Sequence, residues 1–446
     1  MAKKTKSADL SVEEKLEQAL VVPGYEPYTI PDNWCWLKLL ASFDNCTDSK
    51  KKVKQKQYLE SGTWAIIDQG KQEIGGYTND EALLYTGNLP VIIFGDHTRC
   101  IKYIDFPFAQ GADGVKVLSP KSFYLPKLFY YALQSVEIPN LGYRRHFPIF
   151  DRFAIPLPPL PEQHRIVERI ESLFSKLDEA KEKAQGVIDS FETRKAAILH
   201  KAFSGELTAK WREENGVGIE SWEEKPIKEV SIPRAGYAFD SKKFTDSGYQ
   251  VIRMGNLYNG VLDLYRNPVF VSVENVDDSV LNRSLVHSGD ILITLTGTKY
   301  KRDYGYAVRI DEPYDLLVNQ RILCLSPDIN SIDSDYFLYY LQSNRFRDVF
   351  FSNETGGVNQ GNVSSKFVES IQIPVPTYQE QKQLGESISK MISYLVYSKE
   401  LAESVIDQID AMKKAILAHA FRGELGTNDP EEGSAVEMLK QILSGE

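Results

Sequence analysis

Two stretches decide the architecture: IPLPPLPEQHRIVERIESLFSKLDEAKEKAQGVIDSFETRKAAILHKAFSGEL at 155–207 and IPVPTYQEQKQLGESISKMISYLVYSKELAESVIDQIDAMKKAILAHAFRGEL at 373–425. They align without a gap at an offset of 218, with 24 of 53 positions identical. A repeat of that length implies an internally two-fold design, and the segments before and between the copies become a second pair to compare.

Each copy reads as one long helix, with apolar residues recurring in alternating steps of four and three. Ile166, Ile170, Leu173, Leu177, Val187 and Phe191 lie on this seam in the first copy. Leu384, Ile388, Met391, Leu395, Val405 and Ile409 lie on it in the second. Such a sustained seam, backed by a charged face, is the signature of a supercoiled helix pair. Pro158, Pro159 and Pro161 set an extended approach to the first helix, and Gly205 ends it. One seam alone would suit a homodimeric coiled coil. Two matching seams in one chain favour an antiparallel pair within the molecule, because closing the loop between them costs little entropy. Forty or so helical residues span roughly 60 Å, so each helix can act as a ruler.

At 446 residues two or three domains are expected. The spacing of the copies divides the chain into a helical preface at 1–29, a globular domain at 30–152, a spacer helix region at 153–218, a second domain at 219–372, a second spacer at 373–425 and an acidic tail with a short helix at 426–446. Both domains mix short Val/Ile/Thr/Tyr/Phe runs with turn residues, LPVIIFGDHT at 89–98 and SGDILITLTGT at 288–298, as strands of an α+β fold do. Each opens on a tryptophan, Trp34 or Trp222, and each carries an aromatic helix candidate, LFYYALQS at 128–135 or YFLYYLQS at 336–343. The helices are more alike than the domains, which suggests two different ligands presented in one geometry. In the preface, Ser11 and Glu14 form a capping box that opens a helix reaching about Leu20. The tail ends in an amphipathic helix at 436–443.

The composition, 42% hydrophobic and 26% charged, is that of a soluble globular protein. No apolar run is long enough to cross a bilayer, and MAKKTKSADL lacks a hydrophobic signal core. Cys35, Cys46, Cys100 and Cys324 form no CxxC or Cys/His cluster, which argues against structural zinc or a disulfide framework and fits a reducing cytoplasm. Catalytic constellations are missing as well. There is no phosphate-binding GxxxxGK[ST] loop and no GxGxxG after a strand; GADG at 111–114 reads as a turn. Asn267-Pro-Val-Phe270 lacks the second proline of the amino-methyltransferase signature. Glu179 and Lys181, which mimic a nuclease Glu-x-Lys, sit on the charged face of the spacer helix. Six histidines show no metal spacing, and His97 reads as a hydrogen-bonded loop residue. No catalytic residue, metal or cofactor is expected in this chain.

The formal net charge of −10 argues at first against nucleic acid. By segment, 30–152 holds 15 basic and 13 acidic side chains, whereas 219–372 holds 16 and 21. Local basic clusters remain: Lys50, Lys51, Lys52, Lys54 and Lys56, then Arg144, Arg145 and His146, then Lys299, Lys301 and Arg302. Tyr143 and Tyr300 adjoin two of them, a combination suited to phosphates and bases. Weak DNA binding by the chain alone is expected, with partner subunits supplying much of the neutralising charge.

The residues quoted resemble the specificity subunit of type I restriction–modification systems over nearly the whole chain. IPLPPLPEQ, IPVPTYQEQ, KAAILHKAFSGEL and KKAILAHAFRGEL carry the resemblance, together with IPDNWCWLKL at the first domain's start. FGDHTR, GADGVKVL and YRRHF are similar to motifs of one class of target recognition domain. The second copy departs from the pattern at Thr377, Tyr378 and Gln379. The resemblance implies that each domain reads one half of a split, asymmetric site on double-stranded DNA, with the helices fixing the gap. It implies that the helices dock two modification subunits, which use S-adenosylmethionine to methylate a flipped adenine. Two motor-nuclease restriction subunits, using ATP and Mg, complete the complex. Base readout needs donors and acceptors that reach base edges. Candidates are Arg99, Arg144, Arg145 and His146 in the first domain and Asn359, Gln360 and Asn362 in the second, with Asn362 falling where Arg144 falls. Two other classes stay open: a scaffold that holds two protein partners without binding DNA, and an enzyme with unfamiliar motifs that acts on DNA unaided.

Overall fold

The Ile-Pro approaches to both long helices are strands. Ala154–Leu157 pairs antiparallel with Cys35–Lys38, Cys35 facing Leu157; Gln372–Val375 pairs likewise with Glu223–Pro226, Glu223 facing Val375. Pro156 and Pro374 are tolerated because a two-stranded ribbon leaves one edge of each strand unpaired. Each globular part therefore opens and closes on one ribbon. The structure, a computed structural model, describes residues 11–112, 114–312, 315–357 and 359–445. They fall into two units, one running to Ala184 and resuming at Ser404, the other Gln185–Glu403.

In the first unit a four-stranded sheet runs in the order Phe43–Asn45, Val115–Pro120, Val91–Gly95, Ile101–Ile104. Its central strand is buried along its whole length, hence the unbroken Val-Ile-Ile-Phe run. Helix Pro126–Ser135 covers one face with Leu128, Phe129 and Ala132. A second sheet runs Gly76–Thr78, Trp64–Ile67, Phe108–Gln110, the last two parallel. The capping box at Ser11 and Glu14 is present, and Val12–Ala19 packs against the last helix, Ala435–Ser444. The first ten residues of the preface lie outside the described residues.

The second unit repeats the order of the first sheet with other residues and adds an edge strand to the second sheet. Its first sheet runs Ser231–Ala235, Ile322–Pro327, Ile291–Thr294, Ala307–Arg309. Its second runs Phe244–Thr245, Phe270–Val271, Tyr249–Ile252, Leu316–Val318, the last two again parallel. Ser334–Gln342 takes the place of the aromatic helix, and an added helix, Asn344–Ser352, buries Phe346 and Phe350. The α+β architecture expected from the pattern is present in both.

Antiparallel pairing of the repeats is visible inside each unit. In the first, Ile166 and Ile170 share a core with Leu417, Ala420 and Phe421. Further along, Lys181 reaches Asp410 at 2.7 Å, and Lys413 pairs with Asp178 and lies over the Phe174 ring. In the second, Leu199, Ala202 and Phe203 share a core with Leu384 and Ile388, and Lys399 lies 5.2 Å from the Phe191 ring.

Two expectations need correction. The second copy is one helix, Tyr378–Ala420, but the first is two, Leu160–Asp189 and Phe191–Phe203. Ser190 marks the junction: its hydroxyl donates to Val187 O and competes with the backbone, although the amides of Ser190 and Arg194 still bond four residues back. Met391 is also off the seam, at 38% exposed, and Ile392 packs beside Leu384 and Ile388 instead. A helix of 3.6 residues per turn drifts by about 20° per heptad from a strict seven-residue repeat, which shifts the buried face by one position. Ile166, Ile170, Leu384, Ile388 and Ile409 are each buried, while Leu173, Leu177, Val187, Phe191, Leu395 and Val405 are half-buried.

The Glu-Gln pair common to both repeats mounts the domains on the helices. Glu162 is fully buried and accepts from the Trp34 indole at 2.6 Å, Asn428 Nδ2 at 2.9 Å and the Thr427 hydroxyl at 3.3 Å. Glu380, equally buried, accepts from the Trp222 indole at 3.0 Å and from Arg212 and the Thr208 hydroxyl at 2.6 Å each. Gln163 and Gln381 bind backbone groups: Gln163 takes the Leu125 amide and donates to Phe123 O and Pro158 O, and Gln381 takes the Asp333 amide and donates to Pro376 O. Removing a buried carboxylate strands several donors at once. Glu162→Ala is therefore expected to lower the unfolding free energy by about 3 kcal/mol, and Glu162→Gln, which keeps an acceptor, by roughly half that. Denaturant titration reads this directly, and an unmoved midpoint for Glu162→Ala would contradict the mounting role.

Candidate nucleic-acid interface

Five segments of the first domain meet at the end of its sheets. Strand Val91–Gly95 runs into Asp96-His97-Thr98-Arg99, which turns back to Ile101–Ile104. Asp96, 2% exposed, ties this turn to the YRRHF segment: its Oδ1 accepts from the His146 and Phe147 amides at 2.9 and 2.7 Å. His146 completes the clasp, with Nδ1 at 2.8 Å from Asp96 O and Nε2 accepting from the Leu141 amide at 3.1 Å. These partners require a neutral imidazole protonated on Nδ1.

Between Leu141 and His146 the loop is forced outward. Tyr143 is 92% exposed, and its ring stacks on that of His97 at a centroid distance of 5.4 Å. His97 Nδ1 lies 3.2 Å from Tyr143 O, the hydrogen-bonded loop role expected of it. Arg144 and Arg145 are exposed and make no hydrogen bond or ion pair among the described residues.

The other motif segments brace this platform. The Asp96 amide donates to Gly114 O at 2.6 Å, and the His97 amide to Gln69 Oε1 at 3.2 Å. Gly114 has φ +85°, and a Cβ there would stand 2.6 Å from Gln69 Oε1, so GADG needs its second glycine. Asp113 of that turn lies outside the described residues. The lysine run lies alongside, because the Val53 amide bonds Gln110 O and the Ala112 amide bonds Val53 O. Lys50 and Lys54 are exposed and Lys52 half-buried, whereas Lys51 Nζ is committed to Leu84 O at 2.9 Å.

The second domain builds the same corner differently. Leu295 follows strand Ile291–Thr294 as Asp96 follows Val91–Gly95, and its carbonyl accepts from the Val363 amide as Asp96 O accepts from that of His146. Val363 therefore matches His146, and Asn362 matches Arg145 rather than Arg144; a one-residue difference between the following segments defeats counting back from the helix. Thr296 pairs with Asn362 and Gly297 with Gly361, which leaves Asn359 and Gln360 exposed at the loop tip. Val358 of that loop is outside the described residues.

Several candidates are occupied elsewhere. His146, at 0% exposed, offers no surface to a ligand and serves as the clasp instead. Arg99, at φ +60°, spends a guanidinium nitrogen on Ile138 O at 2.9 Å. Lys299 Nζ donates to Gly356 O at 3.0 Å, and Arg302 is paired with Asp348 at 2.6 Å. Tyr300, 81% exposed, and the exposed Lys301 project outward. Sequence reasoning passed over Gln69 and Asp96, whose roles depend on partners 28 and 50 residues away. It also missed Lys116, whose ammonium lies 5.0 Å from the Phe147 ring.

The family model described as the type I restriction modification DNA specificity domain matches residues 39–187 and 219–408. The chain is 22% identical to the type I restriction enzyme EcoBI specificity subunit of Escherichia coli over 90% of its own length and 87% of the relative's. It is 28% identical to the MjaVIII specificity subunit of Methanocaldococcus jannaschii over 62% and 63%. Its fold is similar to a chain solved for the complex assembly of a type I R-M system, with a TM-score of 0.60 at 17% identity, covering 89% of this chain and 100% of the other. It is also similar to the HsdS subunit from Thermoanaerobacter tengcongensis, with a TM-score of 0.52 at 16% identity, covering 89% and 99%.

If His146 is the clasp that holds the tip outward, His146→Ala frees it by removing two hydrogen bonds, worth about 1–3 kcal/mol together. Trypsin cleavage after Arg144 and Arg145 under native conditions should accelerate about tenfold. An unchanged cleavage rate would mean that Asp96 alone holds the loop.

Proposed function

Since the chain belongs to the type I restriction–modification DNA specificity family, whose model spans both globular parts, we propose that each part reads one half of a bipartite, asymmetric DNA site. The supporting observation is that two domains sharing the order of their first sheet carry different side chains at one corner. In the first that corner shows Tyr143, Arg144 and Arg145; in the second it shows Asn359 and Gln360. One frame with two chemistries is what an asymmetric site demands. Arginine suits guanine and phosphate, and the amides suit adenine. The scaffold reading has no use for such a corner, and the family match does not favour it.

The remaining parts of the reading are proposals too. The paired helices, 43 residues in the longer one, set the number of unread base pairs and dock two modification subunits. Adenine methylation with S-adenosylmethionine belongs to those subunits, and ATP- and Mg-dependent cleavage to two restriction subunits. This chain contributes recognition without catalysis, bound to no cofactor of its own. Among the described residues no helix is long and apolar enough to cross a membrane.

The decisive test is single-molecule sequencing for N6-methyladenine in DNA from cells expressing the chain with its neighbouring modification subunit. A bipartite methylated motif that disappears when this chain is deleted is expected. No motif, with the modification subunit shown active and bound, would sink the reading in favour of a scaffold. A narrower expectation concerns Arg144 and Arg145. Changing both to alanine should leave the unfolding midpoint in place, since neither has an internal partner among the described residues. If both neutralise phosphates, the salt dependence of DNA binding by the assembled complex should flatten by about 2 in log–log slope. An identical slope would remove the pair from the DNA contact.

A further inference from the structure

The corner of the second domain opens onto a cleft that no motif announced. Two adjoining cavities of about 410 Å³ each share Met254, Gly255 and Arg321 as a common wall. One holds Asn359 and Gln360 on its far side; the other holds Arg253, Arg266 and Gln320. Segment 219–372 carries 16 basic and 21 acidic side chains, yet its cleft gathers three arginines against a single carboxylate among the described lining residues. That carboxylate, Asp303, already accepts from the Thr298 amide at 2.8 Å. An acidic domain that concentrates guanidinium groups in one recess has built a place for an anion.

Asn256, Thr294, Thr296 and Tyr304 of the lining are bonded within the protein, but part of the recess's hydrogen-bonding capacity is unspent. Arg321 is exposed, and its guanidinium makes no bond or ion pair among the described residues; the side-chain amides of Gln320, Asn359 and Gln360 are equally free. Arg253 is held by Asn267 O at 2.7 Å, and Arg266 lies 5.4 Å from the Tyr258 ring, so these two are braced at the rim. A Cβ built on Gly255 would meet nothing within 4 Å, which leaves the shared wall open to close approach. Free arginine and amide groups above an open backbone are the equipment for reading guanine and adenine edges in a major groove.

We propose that this cleft, rather than the Lys299–Arg302 turn, is where the second domain reads its half-site, with Arg321 and Gln320 on bases and Arg253 and Arg266 on phosphates. The inference rests on the DNA-recognition reading above and adds the place and the chemistry. The turn is the weaker competitor because Lys299 and Arg302 are already engaged within the protein.

The test uses the full chain with its modification subunit and reads the methylated motif together with the methylation level at each site. Arg321→Ala and Gln320→Ala should each relax one position of one half-site, with about tenfold loss of discrimination there and no change in the other half. Gly255→Leu adds bulk to the shared wall from a position with free space, so the protein should keep its unfolding midpoint and lose methylation at least tenfold. Lys366→Ala, exposed in the same domain and outside the cleft, should match the unaltered chain. The proposal is overturned if the cleft variants keep both half-sites at full efficiency, if both halves relax together, or if Lys366→Ala behaves as they do. Absence of any bipartite motif with the unaltered chain would instead remove the reading on which the proposal rests.

Discussion

The rest of the structure depends on two buried carboxylates, Glu162 and Glu380, each held by an indole from the opposite end of its domain. A buried carboxylate is costly unless nearly all its acceptor capacity is used, so each must be met by several donors at fixed positions. Those donors come from the start of the domain and from the segment after a repeat. Trp34 and Trp222 bring in the domain's first strand, while Thr427 with Asn428, or Thr208 with Arg212, bring in the stretch beyond the helix. Trp34 lies 128 residues from Glu162, but Trp222 lies 158 from Glu380. The tie is indifferent to what lies between its ends, so the two globular parts have been free to differ in length and chemistry while keeping one mounting.

The same arrangement gives the chain's ends a role. In the second unit, the stretch after the first repeat supplies Thr208 and Arg212. In the first unit, the stretch after the second repeat supplies Thr427 and Asn428, and Arg165 fixes it further through a two-pronged pair with Glu432. The last helix then packs on the helix that opens the described chain. The acidic tail thus completes the first unit as 208–212 completes the second.

At the exposed corner of each domain a different physical problem is solved. A loop that displays side chains to a ligand must be held without using those side chains. Asp96 and His146 do this with backbone partners, and they leave Tyr143, Arg144 and Arg145 to solvent. In the second domain strand pairing of Thr296 with Asn362 does the same work, which explains how Asn359 and Gln360 reach the surface without a histidine clasp.

The repeats, the helix pairing and the α+β character of both domains were legible in the sequence because they rest on periodicity and local propensity, which need no partner to be recognised. Basic clusters were legible as clusters. Their use was not, because Arg302 and Arg145 look alike in a string, and only the fold puts Asp348 beside one and solvent beside the other. The one-residue drift from Met391 to Ile392 also escaped, since it depends on how a straight helix meets its neighbour, and so did the junction at Ser190, since a serine hydroxyl inside a helix can bond the backbone or leave it intact. The sequence alone determined that the molecule is a doubled frame of helices and two unlike domains. Only the tertiary structure decided which polar groups are spent on holding that frame and which remain free for a ligand, because a hydrogen bond is a relation between residues far apart in the chain.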